Sequence, residues 1–385
     1  MTPQFHTQNR QAFAKHIGDD AIAIIDTAAT ITRRGDYEYP YRPDSNFYYL
    51  TGISEAQAVL ILAPGQSNPK ARELLFISGD SNHTSQWQGP RLAPEQASDM
   101  SGVASVLPLN DLPFYLSRLT SRFPNVSVND DERARNLRQQ FPTIALSSVL
   151  PALDQLRLIK QPVEIDLIRR AAAITEQAIQ VAVAALKPNQ SEFELEGILI
   201  GSMLSAGARL SFDPIVAADS NSTYIHYPAK TGHTSRHGLI LFDVGAEFGL
   251  YAADISRTVP VSGTFTKRQQ AIYDIVKKAQ IIGIKAHRPG TTIAEIDALM
   301  RASQIEDLKA FGLPTTLADY PHISHHLGLD VHDTGSAYTK LEPGMVVTCE
   351  PGLYVRDEGI GVRLEDDILI TADGYELLSS GPEVV

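Results

Sequence analysis

Two amphipathic helical patterns in the second half of the chain are followed by the same punctuation, and this repeat limits the folds open to it more than any other feature. Ile165, Ile168, Ala172, Ile179, Val183 and Leu186 recur at helical spacing behind Pro162, and a second such run covers Lys267 to His287. Lys187-Pro188 closes the first and Arg288-Pro289 the second, 101 residues later. Three residues past each proline stands Ser191 or Thr292, and three further Glu194 or Glu295, the spacing of a capping box opening a new helix. The pattern predicts a domain of two related halves with a site at their interface. Upstream, Ala21–Ile25, Val59–Leu62 and Glu73–Ile77 are short apolar runs between helical segments, which predicts a smaller α/β layer. The pattern changes near residue 155, so domains are expected over residues 1–155 and 156–385.

Strand patterns in the second domain carry the chemistry. Leu239–Gly245 and Leu250–Val261 read as two strands around a short connection. With the turn centred on Phe248-Gly249, Asp243 and Asp254 lie equally far from its midpoint and are expected to face each other as cross-strand partners. Val346–Val355 and Ile360–Thr371 repeat the arrangement around a turn near Asp357-Glu358, which sets Glu350 opposite Glu365, with Pro351 and Gly352 as bulge-prone residues at the joint. Like charges at such distances favour proton sharing unless a cation neutralises them. Four carboxylates and one imidazole form an oxygen and nitrogen ligand set suited to two divalent ions such as Mn, Co, Zn or Fe. His325, His326 and His332, all in the segment Ser324–Asp333, compete for the imidazole position, and spacing leaves the choice open.

Composition excludes several other functions. A formal charge of −12 opposes binding to phosphate backbones, and no run approaches the length of a membrane span. Nucleic acid and membrane are not expected partners. The single cysteine, Cys349, suits a reducing compartment, and the cytoplasm is the expected location. Cys349 is expected to be buried, and His233, His237 and His287 to lie at the surface. Asp330, Asp333, Asp366 and Asp367 are read as hydrogen-bonding or solvent-facing supports rather than ligands.

Five ordered motifs carry a family resemblance: Asp243-Val-Gly, Asp254-Ile-Ser-Arg-Thr, Ser324-His-His-Leu-Gly-Leu-Asp-Val-His-Asp333, Glu350-Pro-Gly-Leu-Tyr354 and Arg363-Leu-Glu-Asp-Asp367. Over nearly its whole length the chain resembles the Xaa-Pro aminopeptidases and dipeptidases of the pita-bread metallopeptidase fold. The segment Gly35–Gly52 tilts the likeness toward the bacterial aminopeptidases. The resemblance implies a mixed α/β (α+β) protein: a small creatinase-like N-terminal α/β domain, serving oligomerisation and selection of the substrate's end, then a pita-bread catalytic domain with a pseudo-two-fold repeat. It implies two divalent ions, Mn²⁺ first with Co²⁺ or Zn²⁺ as alternatives, held by Asp243, Asp254, His325, Glu350 and Glu365, so that His325 is preferred over His326. A bridging water or hydroxide would attack the scissile carbonyl with Glu350 assisting proton transfer, and His226 and His332 would position that carbonyl. Tyr354 and Arg363 match supporting positions in the substrate site, while Asp36 and Trp87 match residues that reach a neighbouring copy's site, which implies a homodimer or homotetramer. The expected substrate is a peptide with proline in second position. An Xaa-Pro dipeptidase, a methionine-aminopeptidase-like enzyme and a non-catalytic peptide-binding protein are the alternatives; all five ligand positions are occupied, which argues against the last. Two departures are expected to matter: Pro321 stands where relatives carry an outer histidine, with His322 as a substitute one position away, and the loop Thr334–Glu342 lacks arginine.

Overall fold

The computed structural model describes residues 1–79, 86–87, 89–318 and 324–379, which divide into two units, Met1–Leu156 and Arg157–Val385. Pro321 and His322, the first departure, lie outside the described residues. The strands of the first unit are β1 (Ala21–Asp26), β2 (Thr32–Arg34), β3 (Tyr37–Glu38), β4 (Ala58–Leu62), β5 (Glu73–Ile77), β6 (Val106–Pro108), β7 (Asn125–Val128) and β8 (Ala145–Ser148). Six of them form one sheet in the order β6-β5-β4-β1-β7-β8, with β4 antiparallel to both neighbours and the remaining pairs parallel. Ile22, Ile24, Ile61 and Phe76 pack with Leu116, Leu119 and Phe123 of the helix Leu112–Arg122 and its end. The remaining pair, β2 and β3, is an exposed ribbon with Asp36 in its turn.

The second unit contains both copies of the repeat. Helix Pro162–Ala184 is followed by Glu192–Ser205, and Lys267–Ala286 by Ile293–Ala310. Ser191 with Glu194, and Thr292 with Glu295, form the two capping boxes, each satisfying orphan N–H groups at a helix start. The likeness extends to long-range bonds. Asn189 N–H donates to Thr234 O at 2.7 Å and Thr234 N–H to Gln190 O at 2.9 Å; at the matching places Gly290 N–H donates to Leu341 O and Leu341 N–H to Thr291 O, both at 2.8 Å. Asn189 and Gly290, equivalent residues, both adopt left-handed backbone, with φ of 61° and 88°.

Strands β9 (Arg209–Leu210), β10 (Ile215–Ala218), β11 (Leu239–Val244), β12 (Ala246–Phe248), β13 (Tyr251–Ala252), β14 (Ile255–Pro260), β15 (Val346–Cys349), β16 (Gly352–Val355), β17 (Ile360–Arg363), β18 (Asp366–Thr371) and β19 (Gly374–Leu377) complete this unit. They form the sheets β10-β11-β14, β13-β12-β9 and β15-β18-β19 and the ribbon β16-β17. Helix Lys267–Ala286 packs through Ile272, Ile275 and Val276 against Leu353, Val355, Ile360 and Val362, and through Ala279 into a second cluster holding Val347, Cys349 and Ile368. Cys349 is fully buried, as expected. His287 is not at the surface: it is 2% exposed and its Nδ1 lies 2.8 Å from Gly283 O, because the C-terminal turn of this helix folds the ring back over the last carbonyls. Burial lowers its pKa to about 4, so it is neutral.

The turn joining β12 to β13 falls on Gly249-Leu250, one position later than expected. Both residues have positive φ, 59° and 69°, as a two-residue type I′ connection requires. The register of β11 with β14 therefore shifts by two, and Asp243 pairs with Ser256 rather than with Asp254. A two-residue shift preserves the face, so the aspartates remain diagonal neighbours on one side of the ladder. Gly245 sits where β11 passes into β12, and a Cβ there would lie 1.8 Å from the Ala253 carbonyl oxygen. Backbone cannot yield as a flexible side chain can, so Gly245→Ala is expected to destabilise the protein by about 1–3 kcal/mol. Urea unfolding would read this as a lower midpoint; an unchanged midpoint would show that this joint is not tightly packed.

Candidate metal centre

Five elements converge on one cavity of about 560 Å³ in the second unit, lined by Asp243, Asp254, His325, Glu350 and Glu365 together with His226, His332 and Arg363. Asp243 comes from β11 and Asp254 from the residue preceding β14. Glu350 follows β15 and Glu365 precedes β18. The ladders β15/β18 and β16/β17 share one register, Cys349 with Asp366 and Gly352 with Arg363, so Glu350 and Glu365 stand opposite each other between them as expected, without a bulge. All four carboxylates are at most 7% exposed.

Backbone pairing separates His325 from His326. The His325 N–H donates to Thr348 Oγ1 at 3.1 Å and the Thr348 N–H to His325 O at 2.9 Å, which sets the imidazole over the β15 end. Its Nε2 lies 3.4 Å from Asp254 Oδ2 and 3.5 Å from Glu350 Oε1. His326 forms a bridge with Val347, is buried away from the cavity, and has its pKa lowered to about 4 by burial. His332 packs its ring against that of His325 with centroids 4.2 Å apart.

Neighbours orient the acids. Arg363, fully buried, donates through one nitrogen to Asp243 Oδ2, through Nε to Ser256 Oγ at 2.8 Å and through Nη1 to the Tyr354 hydroxyl at 3.0 Å. Tyr354 therefore supports the site through Arg363. Ser256 Oγ in turn donates to Glu365 Oε2 at 2.8 Å, and Thr348 Oγ1 to Glu350 Oε1 at 3.0 Å. Ser256 and Thr348 were not singled out from the sequence; Ser256 comes opposite Asp243 only through the two-residue register shift, which the sequence around Leu250 does not announce. Asp366 accepts from Arg257 and Gln280, and Asp367 from the Asp254 N–H, so both are buried supports and neither faces solvent. Asp36 and Trp87 belong to the first unit, where Trp87 is 77% exposed.

Burial, followed by the charges of Asp243, Glu350 and Asp367, pushes the Asp254 carboxyl well above the usual range. Burial and then Asp254, Glu350 and Asp243 do the same to Glu365. Glu350 is raised by burial, which His325 and Arg363 only partly oppose. His332 is lowered by burial and by the neighbouring His325 and His226. Asp254 Oδ1 and Glu365 Oε1 are buried without a hydrogen-bond partner among the described residues. Donor atoms of Asp254, His325 and Glu365 all lie within 4.8 Å of one another. Orphaned acceptors of this kind, beside an imidazole, fit divalent cations with oxygen and nitrogen preferences.

The description "metallopeptidase family M24" matches residues 166–372, and "aminopeptidase P, N-terminal domain" matches residues 6–127. The chain is 34% identical to the Xaa-Pro aminopeptidase of Escherichia coli (strain K12), over 99% of this chain and 95% of that protein. It is 29% identical to Xaa-Pro aminopeptidase 3 of Homo sapiens, over 94% and 79% respectively. Proline aminopeptidase P II from Yersinia pestis superposes with a TM-score of 0.91 at 34% identity, covering 99% of this chain and 96% of that one. Aminopeptidase P from E. coli with the inhibitor Pro-Leu does so at 0.87 and 32%, covering 99% and 95%.

Asp254, Glu350 and Glu365 have folded pKa values above those of the unfolded chain. The stability they contribute without metal is present below the ordinary carboxylate range and lost as pH rises through the raised values. Divalent ions bound to these carboxylates would displace those protons and reverse the loss. The gap in melting temperature between metal-loaded and chelator-treated protein should widen from about pH 5 to about pH 8. A constant or narrowing gap would show that protons and metal do not compete for these groups.

Proposed function

The chain belongs to metallopeptidase family M24, and from that premise we propose that it is a metal-dependent Xaa-Pro aminopeptidase, removing the first residue of peptides with proline in second position. The observation that carries the reading is the set of four buried carboxylates with His325 in one cavity, two of whose oxygens lack a partner among the described residues. The names of the relatives, aligned over nearly the whole chain, support the substrate class. Asp243, Asp254, His325, Glu350 and Glu365 would hold two divalent ions, with Mn²⁺ the first candidate. Such ions supply Lewis-acid polarisation of the scissile carbonyl and activate water at neutral pH.

The remaining chemistry belongs to side chains of this protein. Glu350, its carboxylate oriented by Thr348, accepts the proton of the attacking water and delivers it to the proline nitrogen as the C–N bond breaks. Without that proton the nitrogen would have to leave as an amide anion, so C–N cleavage requires this transfer. His332, whose pKa is depressed, is neutral at physiological pH and offers an N–H to the scissile carbonyl, with His226 on the same wall. Burial opposes the Arg363 charge, but Tyr354 and Asp243 more than restore it, so a permanent cation fixes Asp243. The apolar wall of Phe212, Pro214, Ile215 and Ile225 suits a proline ring.

No helix among the described residues is long and apolar enough to cross a membrane. The cytoplasm is proposed as the location on the separate ground of the single cysteine, Cys349. The first unit is assigned oligomerisation and selection of the substrate's end, with Asp36 and Trp87 contributing to a neighbouring copy's site in a homodimer or homotetramer. The match of residues 6–127 to the aminopeptidase P N-terminal domain supports that assignment.

Chelator-stripped protein given Mn²⁺ should release the first residue of an Xaa-Pro-Xaa-Xaa peptide. Cleavage confined to Xaa-Pro dipeptides would make it a dipeptidase, and cleavage of neither would leave a binding role. Glu350→Ala and Asp254→Ala should each lower kcat by about 10³-fold or more with an unchanged circular dichroism spectrum; retained turnover would remove both residues from the mechanism.

A further inference from the structure

Strands β9 and β10 ladder against one continuous stretch, β11 through Gly245 to β12, yet their registers differ by two. Leu210 pairs with Ala246, and the Ser211 N–H donates to Gly245 O at 2.9 Å, whereas Ile215 pairs with Asp243. Phe212, Asp213 and Pro214 therefore stand opposite Val244 alone, and the surplus chain bulges from the ladder. All three line the cavity. Bulges beside active sites re-aim side chains in this way.

The bulge is anchored from an unexpected place. Lys230, 5% exposed and held at a φ of 53°, donates from Nζ to Glu196 Oε1 at 2.5 Å and to Asp213 Oδ2 at 3.0 Å. Two carboxylates share one ammonium, which leaves a net negative charge. The Glu196 side chain is 11% exposed and that of Asp213 78%, so the surplus charge resides on Asp213 at the cavity wall. The other lining carboxylates are those assigned to the metal ions, and Arg363 is bonded to one of them.

We propose that Asp213 forms a subsite for a cationic side chain, lysine or arginine, on the peptide substrate, framed by the Phe212–Pro214 bulge and anchored by Lys230. The inference rests on the aminopeptidase reading and names a substrate class within it. A lysine or arginine near the scissile bond completes the charge balance of the Lys230, Glu196 and Asp213 group, and an acidic side chain is repelled by it.

The test measures kcat/KM of the Mn²⁺-loaded protein on Ala-Pro-Ala-Ala and on matched peptides with arginine or glutamate at position one or position three. Arginine should be preferred over glutamate by about fivefold at one of these positions, the size expected of a partly exposed ion pair, and the preference should shrink as salt rises. Asp213→Asn should abolish it and Asp213→Lys reverse it. Each comparison is a ratio within one variant, so a general loss of activity cancels. No preference at either position, or one that Asp213→Lys leaves unchanged, overturns the subsite. If Ala-Pro-Ala-Ala is not cleaved, the aminopeptidase reading falls and the subsite with it.

Discussion

The mutual repulsion of Asp243, Asp254, Glu350 and Glu365, all buried around one cavity, is the constraint on which the rest of the catalytic unit depends. Buried carboxylates lose the hydration that stabilises their charge, and each raises the cost of ionising its neighbours. Their surroundings divide that cost unequally. Arg363 serves Asp243, Ser256 serves Glu365, and Thr348 serves Glu350, each using one oxygen or one side of the acid. One oxygen each of Asp254 and Glu365 is left unserved among the described residues. An enzyme that had to hold the carboxylates without cations would bond all of these oxygens; a metal site leaves some of them free for the ions.

The two halves of the repeat meet at these acids. Strand β11 begins at Leu239 and β15 at Val346, 107 residues apart, and the same offset carries Asp243 to Glu350. Strand β14 runs from 255 to 260 and β18 from 366 to 371, an offset of 111 that carries Asp254 to Glu365. The backbone contacts across the centre obey the same rule. Asp254 N–H points at the Asp367 carboxylate, and Glu365 N–H donates to Ser256 O, with Ser256 and Asp367 again 111 apart. Each half thus secures the acid that precedes its second strand on the other half. The symmetry breaks where function differs: Glu350 stands opposite Glu365 in the shared register of the flanking ladders, while Asp243 pairs with Ser256, which frees that position for the serine that links Arg363 to Glu365. The pita-bread fold of the catalytic unit is therefore also the means by which four acids reach one point from two chain segments.

Much of this was legible in the sequence because strand periodicity is robust to small errors. The turn between β12 and β13 was misplaced by one position, since Leu250 gives no sign that it will adopt positive φ. The resulting shift was two residues and kept every side chain on its face. The Glu350 and Glu365 pairing survived Pro351 and Gly352 because the ladder changes partner strands there without gaining a residue. What spacing could not supply was anything decided by contacts between distant segments. His325 and His326 are adjacent, and only the pairing of this loop with β15 tells which faces the acids. The bulge at Phe212 to Pro214 depends on the difference between two registers, and the Glu196, Asp213 and Lys230 group on three segments meeting.

The segment that carries both His325 and His332 has little regular structure, so its placement needs another source. Asp333 supplies it. Its carboxylate is 1% exposed and bonded to Arg157 at 2.5 Å and Lys160 at 2.9 Å, while its N–H donates to His326 O. Burial would raise the pKa of Asp333, but Lys160 and Arg157 hold it below the usual range, so it is charged whenever the enzyme works. Gly328 leaves room for this carboxylate, since a Cβ there would lie 2.1 Å from Asp333 Oδ2. A buried ion pair gains little net stability over an apolar replacement, because desolvation offsets most of the attraction. What an apolar cluster would not provide is direction. Two cations fix the two oxygens of Asp333, Asp333 fixes the chain one residue beyond His332, and the imidazole is thereby held on the cavity wall where the acids require it.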